Sequence, residues 1–119
     1  MERLTKNGWR ETSTYEKGFN GTLFECITIS LDSRLGEAVV STLYYAIEER
    51  FKLRRAEFPK QPLEVLKDLK SILGETGYNV IEPVVLNNIK ETFKVVEQGI
   101  FDLERLVEIA RKNYLQGSR

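Results

Sequence analysis

TLFECITISL, residues 22–31, is the stretch on which the fold turns. Ile27, Ile29 and Leu31 alternate with Thr28 and Ser30 as in a half-buried strand, whereas Leu23, Phe24, Ile27 and Leu31 share one helical face. β-Branched content favours the strand. A strand needs a neighbour to take up its backbone hydrogen bonds, however, and no second run in the chain offers one. The segment is therefore read as a helix, and the domain as all-α.

Working toward the C-terminus, Asp32 and Ser33 carry side-chain oxygens suited to a helix N-cap, and RLGEAVVSTLYYAIEERF, residues 34–51, is amphipathic. Leu35, Val39, Leu43, Ala46 and Ile47, broadened by Val40, Tyr44 and Phe51, make a stripe wide enough for a central helix over 33–52. Gly36, one turn in, is read as a point of close helix approach. KLRRAEFPKQ, residues 52–61, breaks the pattern. Pro62 then opens a helix whose buried face is Leu63, Leu66, Leu69, Ile72 and Leu73, with Glu64 near its positive end. Gly74 and Gly77 are its stop signals. A turn through Gly77 to Asn79 leads to a further helix, with Pro83 in the first turn, where a missing amide is tolerated.

From Leu86 the apolar residues step by three and four through Ile89, Phe93, Val96, Ile100, Leu103, Val107, Ala110 and Tyr114, a heptad pattern. One long coiled-coil helix fits it. So do two helices hinged near Gly99, and Val95, Phe101 and Ile109, which lie off the seam, favour that second reading. At the other end, residues 1–20 mix small polar residues with isolated aromatics, Trp9 among them, and show no period, which reads as a flexible arm. Residues 116–119 read as a disordered tail. The expected architecture is a compact bundle of about five helices over 21–31, 33–52, 62–74, 79–97 and 100–115, forming one domain from 21 to 115.

The composition narrows the function. Eighteen Lys and Arg balance eighteen Asp and Glu, so no global field draws the chain to a polyanion. There is no histidine, which removes the commonest general base and zinc ligand together. A single cysteine, Cys26, cannot close an internal disulfide, and its place at the edge of an apolar face suits a buried, inert thiol. No phosphate-cradling glycine loop is present, and GETG at Gly74–Gly77 is a helix stop by context. Glu48 with Glu49, and Asp102 with Glu104, point to different sides of their helices and read as solvated faces. With no apolar leader or span in the sequence, a cytoplasmic protein is expected. No cofactor, metal, catalytic residue or small-molecule substrate is indicated.

Two surfaces stand out as candidates. Adjacent tyrosines on one helix cannot both face a core, so one of Tyr44 and Tyr45 is expected outside, beside an apolar stripe. With Ile100, Leu103, Val107 and Tyr114 of the C-terminal stripe they form the expected partner-binding set, for another protein or a second copy of the chain. The alternative is nucleic-acid binding by Arg50, Lys52, Arg54, Arg55 and Lys60, a basic segment interleaved with Phe51 and Phe58 and assisted by the arm. Phe51, Leu53 and Phe58 can equally anchor that segment to the core while its charges stay solvated.

The tyrosine pair with Glu48, the Pro62-initiated helix, the Leu73–Gly74 stop and the aliphatic helix near Ile81 and Glu82 together resemble a family of small uncharacterised archaeal proteins and output domains. The resemblance covers residues 20 to 115, and Pro83 departs from the family's usual pattern. It implies an all-helical cytoplasmic domain with a regulatory or signalling role and no catalytic residue to carry over. The expectation is thus a non-enzymatic regulatory or adaptor module acting through protein–protein contact.

Overall fold

A computed structural model describes residues 8–96 and 102–117, with side chains from Gly18 to Val96 and from Asp102 to Gln116. Four α-helices and one 3-10 helix follow each other: α1 (Gly8–Leu35), α2 (Glu37–Phe51), the 3-10 helix (Arg55–Lys60), α3 (Pro62–Thr92) and α4 (Leu103–Gly117). Among the described residues there is no strand. The all-α expectation holds, and TLFECITISL lies well inside α1.

The helical pattern of this segment is borne out by its burial. Phe19, Leu23, Ile27 and Leu31 all face the core, while Ile29, which the strand reading would bury with Ile27 and Leu31, is 61% exposed. α1 makes its most extensive contact with α3. The two run antiparallel, joined by Cys26 Sγ donating to Thr92 Oγ1 at 3.2 Å and by Asn88 Nδ2 donating to Ser30 Oγ at 2.7 Å. Ser30 is fully buried, and its hydroxyl donates in turn to the Cys26 carbonyl at 2.7 Å, so the polar group inside this interface is satisfied.

Several boundaries differ from the sequence reading. The helix does not start near residue 21: the backbone is helical from Gly8, and Phe19 is a core residue. Phe19 packs its ring on Phe93 at 5.0 Å and Tyr114 at 5.7 Å, long-range partners that a local pattern cannot reveal. Asp32 and Ser33 do not cap α2, whose N-cap is Gly36; they lie in the last turn of α1, and Ser33 Oγ donates back to the Ser30 carbonyl at 2.9 Å. Gly36 is the joint itself, with φ 88°, and space beside it is open, so its role is a backbone turn and not close packing.

The Gly74 stop is real but produces no loop. Gly74 adopts φ 77° and ψ 171°, after which helical geometry resumes at once, so α3 is two helical segments meeting at one residue. Pro83 consequently falls two turns into the second segment and not in a first turn. Its missing amide leaves the Asn79 carbonyl without an intrahelical donor, at a point where both residues are exposed to solvent. α3 ends at Thr92, short of the expected 97. Lys94 takes φ 55° and the Val95 amide donates to the Lys90 carbonyl at 2.9 Å, the six-to-one bond of a Schellman cap. The heptad pattern is therefore carried by two helices, as the two-helix reading held; Gly99 lies outside the described residues. α4 continues through Gly117, so residues 116 and 117, expected in a tail, are helical.

Candidate interaction surface

Of the adjacent tyrosines, Tyr44 turns inward and Tyr45 outward, at 61% exposure. Tyr44 packs edge-on to Phe58 at 5.2 Å and stacks on Phe24 at 5.8 Å, and its hydroxyl meets Thr28 Oγ1 at 2.8 Å. Burial pushes its phenol above the ordinary value, with the Thr28 hydrogen bond working the other way. Tyr44 is thus a core residue and not part of a partner surface.

The C-terminal stripe is corrected in the same sense. Val107 is buried, and Leu103 and Tyr114 are half-buried against the core, because α4 lays its apolar face on α3 and α1 of the same chain. Hydrophobic periodicity marks which face is covered but not whose atoms cover it. Ile100 lies outside the described residues.

The basic segment has also found internal work. Phe58 is fully buried and Leu53 half-buried, so both anchor it; Phe51 stays at the rim, 37% exposed, under the Arg50 guanidinium at 5.8 Å. Arg55 lies over the rings of Tyr44 (5.3 Å) and Phe58 (5.5 Å), while its amide donates to Glu48 Oε2 at 3.1 Å. Its guanidinium Nε is 3.8 Å from Glu48 Oε1. That arrangement makes Arg55 a lid on the aromatic cluster. Arg50, Lys52, Arg54 and Lys60 are exposed.

Burial pushes the Cys26 thiol up, in keeping with an inert cysteine. A cleft of about 450 Å³ between α3 and the start of α4 is lined by Leu66, Lys67, Lys70, Tyr78, Glu82 and Asp102 among others. Tyr78 is held there with its phenol pushed up to about 12 by burial, Glu82 adding to the effect. Asp102 Oδ1 accepts the Arg105 amide at 2.8 Å and so caps α4. Among the described residues no three His, Cys, Asp or Glu side chains converge as a metal site, and no helix is long and apolar enough to cross a membrane.

The outer side of α2 carries two of the exposed large apolar side chains of the described residues, Val39 and Tyr45. Ala38, Val39, Ser41, Thr42 and Tyr45 are all exposed, and residues 38–47 contain no charged side chain in a chain that is 30% charged. Thr42 Oγ1 donates to the Ala38 carbonyl at 3.0 Å, so its donor is satisfied within the helix and needs nothing outside. Tyr45 stands among small neighbours as a projecting ring. The tyrosine was legible beforehand; the small residues around it were not, although the uncharged run on an amphipathic helix was a usable signal.

These features define an all-α bundle with a tyrosine-bearing helix face whose residues 38–47 carry no charge. Comparison of the chain with protein-family models, with curated proteins and with solved structures returned no match.

Proposed function

We propose that the chain is a non-enzymatic regulatory or adaptor domain that acts by binding another protein through the outer side of α2. The observation that supports this reading is the exposed Tyr45 beside Ala38, Ser41 and Thr42 in a run of α2, residues 38–47, that carries no charge, since interface centres are depleted in charge and enriched in tyrosine. Tyrosine supplies a large amphipathic contact at low entropic cost, and small neighbours leave room for a partner to close around it. The basic segment supports nucleic-acid binding less well, because Arg55, at its centre, is engaged with Tyr44, Phe58 and Glu48.

The test places a photo-crosslinking amino acid at position 42, in the native host, and identifies crosslinked proteins by mass spectrometry. A defined protein partner whose capture is lost with Tyr45→Glu supports the reading. Crosslinks indifferent to Tyr45→Glu, or crosslinks chiefly to nucleic acid, overturn it.

A further inference from the structure

We propose that the cleft between α3 and the start of α4 binds a small aliphatic dication, a di- or polyamine, one of whose ammonium groups is received by the Tyr78 hydroxyl and the Glu82 carboxylate. At about 450 Å³ the cleft is in the size range of ligand pockets. It spans the kink of α3 at Gly74: Lys67 and Lys70 come from the segment before the kink, Tyr78 and Glu82 from the segment after it, and Asp102 and Glu104 from the entry to α4. No residue of α2 lines it, so the proposal stands independently of the partner surface.

Tyr78 points to a ligand. The residue is only 4% exposed, and among the described residues its hydroxyl has no hydrogen-bond partner. Lys70 Nζ stands over the ring, 5.7 Å from its centroid, and so engages the π face and not the oxygen. A native fold leaves few buried polar groups unmatched, so the group that completes this hydroxyl comes from outside the chain. The phenol, pushed up to about 12 by burial and by Glu82, is protonated at neutral pH, and its oxygen can accept from an ammonium without carrying charge itself. Glu82, one turn further along the same helix, is half-buried in the same wall and makes no ion pair among the described residues.

The charge of the wall selects the sign of the ligand. Glu64, Glu82, Asp102 and Glu104 stand against Lys67 and Lys70, an excess of two carboxylates in a chain with no net charge. A dication cancels that excess, whereas an amino acid leaves it in place and a dicarboxylate doubles it. Ammonium groups bring the N–H donors that a phenol oxygen and a carboxylate accept. Leu63, Leu66 and Leu103 in the same wall offer the methylene stem of such a molecule an apolar track.

Amide-resolved NMR titration of the full chain with 1,5-diaminopentane and with spermidine, in about 150 mM salt to screen diffuse attraction, tests the proposal. The expected result is one saturable site with a dissociation constant on the order of 100 μM, and severalfold weaker binding of n-butylamine, which carries a single charge. Tyr78→Phe weakens binding by about fivefold and Glu82→Gln by about tenfold. Glu75→Gln, at an exposed carboxylate of α3 that does not line the cleft, changes it by less than about twofold. Because the hydroxyl has no partner within the fold, Tyr78→Phe leaves the thermal midpoint of the unliganded protein unchanged or raises it. No binding of either amine at about 10 mM overturns the proposal, as does binding indifferent to Tyr78→Phe and Glu82→Gln. Glutarate, glycine or n-butylamine binding as tightly as 1,5-diaminopentane overturns it as well. So does a lowered midpoint in Tyr78→Phe, which would give the hydroxyl a partner inside the chain.

Discussion

Gly18 on α1 and Tyr114 on α4 are matched in shape: the tyrosine hydroxyl occupies the place where a Cβ on residue 18 would stand. The ring is held from both sides, at 5.7 Å from Phe19 and 6.3 Å from Phe93, so it has little freedom to withdraw. Without the hydroxyl, the nearest atom to that Cβ would be the ring carbon Cζ, at an ordinary 3.5 Å. Gly18→Ala therefore carries two opposed effects, a helix-propensity gain of up to about 1 kcal/mol and an overpacking cost of about 1–3 kcal/mol. In the wild-type background the second wins, and urea denaturation should show a net loss of about 1 kcal/mol. In a Tyr114→Phe background the same substitution should be neutral or stabilising. Equal effects in the two backgrounds would refute the match.

Asp68 is 5% exposed on α3, with no hydrogen bond or ion pair among the described residues. Burial, with Glu64 nearby, pushes its carboxyl above the ordinary carboxylate value, and Lys67 offsets only part of that. A carboxyl raised in the folded state is bound more tightly to its proton there than in the unfolded chain. Its contribution is therefore most favourable below the unfolded-state value and declines as pH rises through the window up to the folded-state value. Asp68→Asn should remove that slope, raising stability at pH 7 by up to about 1 kcal/mol and leaving it unchanged near pH 3. Urea midpoints measured across this pH range decide the matter; a loss of stability at pH 7 would mean that the carboxylate has a partner.

Lys94 occupies the left-handed position of the α3 cap, φ 55°, where glycine is the usual residue. Its side chain is exposed, so the backbone strain has no packing gain to set against it. Lys94→Gly should raise stability by about 0.5–1 kcal/mol, read as a higher thermal midpoint. Asn113 ties α4 to the same cap by donating to the Phe93 carbonyl at 2.9 Å and the Lys94 carbonyl at 3.2 Å. Asn113→Ala should cost about 1–2 kcal/mol, because two carbonyls lose one donor group.

Arg55 and Arg54 are neighbours in sequence with different duties. Arg55→Ala removes the lid over Tyr44 and Phe58 and the contact with Glu48, and should cost about 1 kcal/mol of stability. Arg54→Ala should cost less than about 0.5 kcal/mol. Were the segment a phosphate-binding strip, both substitutions would instead lower low-salt affinity for nucleic acid by similar amounts, which filter binding would detect.

Much of this architecture is written in local spacing. The helical placement of Leu23, Phe24, Ile27 and Leu31, together with the absence of a pairing partner for a strand, is enough for an all-α fold. Pro62 and Gly74 mark helix ends through their own backbone preferences, and two adjacent tyrosines on one helix must diverge. Those properties belong to residues within a turn or two of each other, so the chain alone determines them. Which tyrosine turns inward, that Phe19 belongs to the core, and that Val107 and Tyr114 dock on their own chain depend instead on α1, α3 and α4 meeting across dozens of residues. Only the tertiary structure decided these, since burial is a property of what an apolar face finally touches, and a helical stripe looks the same whether its neighbour is the same molecule or another.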